Sequence, residues 1–99
     1  WLKALDYTAS LFKRKREFNE LPSEVAKRHL KVSPFAGEPI GWIIENIGPN
    51  MLVYASDYPH PEGTSDPIRK FEATMTECDE KTMDAFYHGN MEELMGIKL

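Results

Sequence analysis

MLVYASDYPHPEG, residues 51–63, decides how this chain of 99 residues is read. Its first half, MLVYAS, is an unbroken apolar run of strand length with no polar alternation, as in a parallel strand covered on both faces. Its second half sets Asp57 directly behind that run and brackets His60 between Pro59 and Pro61. Upstream, EPIGWIIENIG (38–48) puts Ile40, Ile43, Ile44 and Ile47 on one helical face. Pro39 suits a first helical turn, and Gly48 followed by Pro49 makes a stop. HLKVSPF (29–35) reads as a short strand. The order is strand, helix, strand.

Farther out, Leu2, Leu5, Ala9 and Phe12 recur at helical spacing, which predicts an amphipathic helix from Leu2 to Phe18. The basic run Lys13, Arg14, Lys15, Arg16 at its far end complements a helix C-terminus and reads as a solvated face. Pro22 and Ser23 offer a stop and a new N-cap for a turn over 23–28. After the second strand, Ser65 or Asp66 caps a helix opening at Pro67, with Ile68, Phe71 and Met75 toward the sheet. Asp79 caps the next segment, whose apolar side is Met83, Phe86 and Tyr87. Asn90 and Glu93 have the spacing of a capping box. No repeat or linker divides the chain, so residues 1–99 read as one partial α/β domain, βαβα with a helical C-terminus.

Twelve basic against sixteen acidic side chains give a net charge of −4, which offers a phosphate backbone no general attraction, so nucleic acid is not an expected partner. A lone cysteine, Cys78, excludes an internal disulfide framework and fits a reducing, cytoplasmic setting. No apolar run approaches the roughly 18 residues of a membrane span. The chain opens at Trp1, without methionine and in helical sequence, and is expected to be a piece of something longer.

In parallel α/β architectures the working groups sit just past the carboxyl ends of strands. Asp57 occupies that place, where a rigidly held carboxylate can ligate a divalent metal or take a proton. His60, on a loop stiffened by two prolines, can contact substrate, metal or a second carboxylate. Asp-x-x-His is also an ordinary turn composition, so both readings stand on spacing alone. Glu62 and Asp66 extend the acidic neighbourhood but suit a solvated loop and a helix cap. His29 and His88 are solitary in sequence and read as surface or packing residues. Cys78 has no neighbouring base in a nucleophile pattern. The six glycines match neither dinucleotide nor Walker spacing.

MLVYASDYPHPEG, the following DPIRKFEA (66–73) and the closing FYHGNMEELMGI (86–97) resemble the C-terminal portion of the amidohydrolase-related family, which includes aminocarboxymuconate-semialdehyde-decarboxylase-like proteins. LPSEVAKRHLKVSPF (21–35) and IIENIGPN (43–50) resemble the penultimate strand and helix of that family's barrel, and WLKALDY (1–7) the helix before them. The resemblance implies the last part of a (β/α)8 TIM-type barrel that uses a metal-bound water for hydrolysis or a metal-assisted route for nonoxidative decarboxylation. It implies that Asp57 is the metal ligand and proton acceptor ending the final strand. His60 matches the motif as a possible substrate contact, and Asn90 matches a terminal Gly-Asn element for which helix capping is a sufficient reason. A whole barrel runs to about 250 residues. The first-strand His-x-His pair and the later histidines that complete the family's site have no counterpart here.

The expectation is therefore a fragment of a metal-dependent hydrolase, with a decarboxylase of the same family or a non-enzymatic fragment as alternatives. The divalent metal, zinc, and the small-molecule substrate are what the resemblance implies for the intact parent. The chain alone should lack activity and bound metal, and should self-associate, since two parallel strands cannot cover their own edges.

Overall fold

A computed structural model describes residues 1–12 and 19–98. The first predicted helix is seen as α1, Leu2–Leu11. The basic run at 13–16 and Phe18 lie outside the described residues. The chain divides into two compact units, Trp1–Leu30 and Lys31–Leu99.

In the first unit α1 packs against α2, Pro22–His29, and Leu2, Ser23 and Ala26 are buried. Ser23 is not the N-cap. Pro22 takes the first helical position after Leu21, which carries Ser23 inside the first turn. Its N–H donates to Asp6 Oδ1 at 2.9 Å, so a carboxylate from α1 satisfies one of the orphan donors of α2. Hydrogen bonding from Ser23, first its side chain and then its N–H, holds the Asp6 carboxyl below the usual aspartate range.

The second unit contains α3 (Ile40–Ile47), α4 (Pro67–Glu72), α5 (Glu80–Asp84) and α6 (Asn90–Met95), with one π-helical turn, Ala85–Gly89, joining α5 to α6. The two predicted strands are not formed among the described residues. In their place Val32 and Leu52 make one isolated parallel bridge. Val32 N–H donates to Met51 O at 2.8 Å and Val53 N–H to Val32 O at 3.0 Å. The parallel sense agrees with the βαβ expectation, but the ladder stops at once for two reasons. Pro34 has no N–H to give the next rung, and on its far side the second segment is bonded to the chain's own helical region, with Tyr54 N–H given to Phe86 O at 3.0 Å, not to another strand. A βαβα sheet is therefore corrected to helices around a single bridge.

The apolar run 51–53 nonetheless lies in the interior, with Met51, Leu52 and Val53 all buried. Leu52 joins Ile40 and Ile44 of α3, Phe71 of α4, Met75 and Phe86 in one cluster, against which Ile43, Ile47, Tyr54, Met83 and Tyr87 pack. Phe71 and Phe86 meet edge to face at 5.2 Å, and Tyr54 meets both, at 5.8 and 6.2 Å. Ile68, in the first turn of α4, stays exposed.

Asp79 caps α5 as predicted, accepting from Thr82 N–H at 2.8 Å, and hydrogen bonding from Thr82, first its side chain and then its N–H, lowers the Asp79 pKa. A depressed carboxyl pKa contributes stability above the unfolded value and loses it as pH falls through the folded one. Asp79→Ala should therefore lower the melting temperature at pH 7. The gap from the unaltered chain should close as pH drops below the ordinary aspartate range, in melts followed by circular dichroism; a gap constant with pH contradicts the cap.

Asn90 does not act as a capping box. The π turn carries the helix without a break into α6, so Asn90 is already helical, and Gly89 before it makes no side-chain cap. The Asn90 amide, 3% exposed, instead donates to Pro49 O at 2.7 Å and Leu52 O at 2.8 Å.

Candidate active-site loop

The chain leaves the buried segment 51–53 through Tyr54, whose amide is fixed by Phe86 O, and enters a loop folded on itself. Asp57 has φ 55, the left-handed region that aspartate tolerates better than most residues. Its carbonyl accepts from His60 N–H at 2.9 Å, and His60 O in turn accepts from Gly63 N–H at 2.9 Å. Tyr58 N–H donates to Ser56 Oγ at 3.3 Å, and the Tyr58–Pro59 peptide is cis. Two successive turns thus bring the ends of the 57–63 loop together.

This backbone sets Asp57 and His60 side by side, with Nδ1 of the imidazole 2.9 Å from Asp57 Oδ1. An ionised carboxylate can only accept, so Nδ1 carries the proton and Nε2 of the neutral ring is left as the acceptor. The arrangement is an oriented carboxylate–imidazole pair, able to take a proton at Nε2. It is open to solvent, with side-chain exposures of 37% for Asp57 and 67% for His60. Glu62 joins them: one ligand atom from each of Asp57, His60 and Glu62 lies within 4.8 Å of the others.

The remaining sequence candidates lie elsewhere. Asp66 is drawn away by Arg69, whose guanidinium lowers its pKa, and it makes no side-chain cap on α4. His88 sits between Glu92, 3.0 Å from Nδ1, and Asp84 on its own helix. His29 is in the first unit. Burial pushes the Cys78 thiol upward, reinforced by Asp79 and Glu77, which disfavours a thiolate nucleophile.

Gly63 is a residue whose part sequence reasoning missed. A Cβ there would lie 2.3 Å from Asp57 O and 2.6 Å from Asp57 C, against backbone that cannot swing aside. The only sequence signal was the turn composition Pro61-Glu62-Gly63. Gly63→Ala should therefore reopen the loop and separate His60 from Asp57, with a stability loss of about 1–3 kcal/mol from overpacking. Loss of the His60–Asp57 side-chain contacts in NOE spectra, with core contacts of Phe71 retained, is the expected result; an unchanged loop contradicts it.

No family model matches the chain, and no curated protein matches it. Six chains of solved structures do. One is an amidohydrolase of Mycobacterium avium subsp. paratuberculosis K-10, with a TM-score of 0.79 at 24% sequence identity. The match covers 96% of this chain and 24% of that one. The fold is thus that of part of an amidohydrolase, and the chain spans about a quarter of the length of the protein it resembles.

Proposed function

We propose that this chain is the closing quarter of a metal-dependent, amidohydrolase-type hydrolase barrel, and that Asp57 is the metal ligand and proton acceptor it contributes. The observation that carries the reading is the fold match over 96% of the chain to 24% of an amidohydrolase. Asp57, four residues past the buried segment 51–53, supports it, because barrel chemistry is done just past the inner segments of the fold. The donor chemistry fits: two carboxylates and an imidazole are ligand types for zinc. Asp57 would hold the ion, with His60 and Glu62 beside it. When bound, a divalent ion supplies Lewis acidity toward a carbonyl and lowers the pKa of water. His60 orients the Asp57 carboxylate through its Nδ1–H and offers Nε2 to a substrate group.

The chain alone is inactive in this reading, since its donors stand on one exposed loop and Asp57 and His60 already satisfy each other. Calorimetry should find no stoichiometric, submicromolar zinc binding. Such binding, if abolished by Asp57→Asn, overturns the prediction. The parent itself is tested by the reading frame upstream of Trp1, where a His-x-His pair about 200 residues earlier is expected from the size of a barrel. Its absence there sinks the proposal.

A second, non-enzymatic reading is favoured by the exposure of Phe35, Trp42 and Ile68 in the second unit. Large exposed apolar side chains promote self-association. Sedimentation should show mass rising with concentration, and a strict monomer contradicts it.

A further inference from the structure

The segment that carries Asp57 is held from two sides. On one side Met51 O and Val53 N–H pair with Val32. On the other, Tyr54 N–H donates to Phe86 O at 3.0 Å, and Pro49 O and Leu52 O accept the Asn90 amide at 2.7 and 2.8 Å. Among the described residues the second side is thus bonded by Phe86 and Asn90 alone, and the π turn makes both available. In an α-helix Asn90 N–H would take Phe86 O, four residues back. Here it reaches five residues back, to Ala85 O, so the Phe86 carbonyl is free of Asn90 and accepts Tyr54 N–H instead. The same turn leaves Asn90 no helix start to cap, and its side chain, 3% exposed, is given to the segment.

Past Tyr54 the chain runs to the site with little support: Ala55 and Ser56 give no backbone group to a hydrogen bond among the described residues. Tyr54 is the pivot from which Asp57 is aimed, at a reach of up to about 10 Å of chain. A swing of about 10° at the pivot displaces a group at that reach by roughly 2 Å, whereas a metal-binding or catalytic constellation tolerates about 0.5 Å. We infer that Asn90, through the π turn it closes and the amide it gives to Leu52, is a positioning residue for Asp57. It sets the direction in which the 52–54 segment delivers the carboxylate to its His60 partner. Isolated π turns are rare and occur frequently at functional sites, which agrees with this role. The inference rests on the functional reading above for what Asp57 does once placed, while the hydrogen bonds that carry it do not depend on that reading.

Two variants of the 99-residue chain test it by NMR. Asn90→Ala removes the side-chain clamp. Deletion of His88, an exposed residue of the turn, shortens the π turn to an α-helical one. Asn90 N–H then keeps Ala85 O, now four residues back, Phe86 O returns to the helical ladder, and the Asn90 amide rotates off the segment. Because the deletion leaves a regular helix, it keeps the inference testable if Asn90→Ala fails to fold. In each folded variant the Tyr54 amide should exchange at least about tenfold faster relative to the Val53 amide, which is bonded to Val32 O and serves as the control. The His60 ring, followed by its imidazole nitrogen shifts where it is neutral, should lose its Nδ1–H form and relax to the tautomer mixture of a free histidine. A merely structural role speeds Val53 and Tyr54 alike and leaves the tautomer of the folded form unchanged; that result overturns the inference. A freed Tyr54 amide with the Nδ1–H form retained also overturns it, since the loop is then aimed by its own turns, and the functional reading survives. A reading frame upstream of Trp1 without the His-x-His pair overturns the functional reading, and with it the role assigned to Asn90, even if both NMR results are as expected.

Discussion

Asn90→Ala should destabilise the Lys31–Leu99 unit by about 2–4 kcal/mol, a larger effect than removal of a helix cap would give. The Asn90 side chain is 3% exposed and donates to two carbonyls, Pro49 O and Leu52 O, from helix α6. Alanine removes both bonds and leaves the Leu52 carbonyl, which is buried, facing a gap that water enters poorly, while the Pro49 carbonyl is only part-buried. A solvated helix cap loses only its one bond. Asn90→Asp separates the two roles further: aspartate caps helices as well as asparagine does, but an ionised carboxylate cannot donate to a carbonyl. Denaturant unfolding at neutral pH should therefore find Asn90→Asp at least as damaging as Asn90→Ala. If Asp is tolerated, the clamp is not what Asn90 does. The consequence reaches the site loop, because Leu52 lies five residues before Asp57 on the segment that aims it.

The example shows where the sequence was legible and where it was not. Helical punctuation could be read because it is local: Pro39 before α3, Gly48 after it and Asp79 at α5 act through their own neighbours in the chain. The core could be read because periodicity fixes which face of a helix is apolar, as Ile40 and Ile44 bear out. The strand at 51–56 was an apolar run correctly taken as interior, but a strand is defined by partners, and its composition could not say that Phe86 O and the Asn90 amide would take the groups a ladder needs. Asn90 itself had the spacing of a capping box. Only the π turn, which leaves no helix start at that point, freed its side chain for Pro49 and Leu52. The Asp57 and His60 pairing was one of several options open to a three-residue spacing. It is selected by the left-handed Asp57 and by the close approach of Gly63, neither of which has a periodic signature.

Phe71→Ala is expected to have the largest effect on the fold, about 3–5 kcal/mol. The ring is fully buried, at 0% exposure, and makes edge-to-face contacts with Phe86 at 5.2 Å and Tyr54 at 5.8 Å. Truncation removes apolar area from the centre of the cluster and also leaves a void on one side of each of those rings. The unit surrounding it is short, with helices of five to eight residues that cannot persist without tertiary packing. A loss of that size is a large part of the stability of any small domain, so the near-ultraviolet aromatic signal should collapse while some helical signal remains. Phe71→Leu keeps most of the volume and should cost less than half as much, which distinguishes loss of packing from loss of the aromatic contacts. The effect should also reach Asp57. Tyr54, which packs on Phe71, is the last anchored residue before the loop, so loosening it should speed amide exchange at His60 and Gly63 even in Phe71→Leu. If Phe71→Leu leaves those two amides as protected as in the unaltered chain, the loop is held by its own turns and not by the aromatic core.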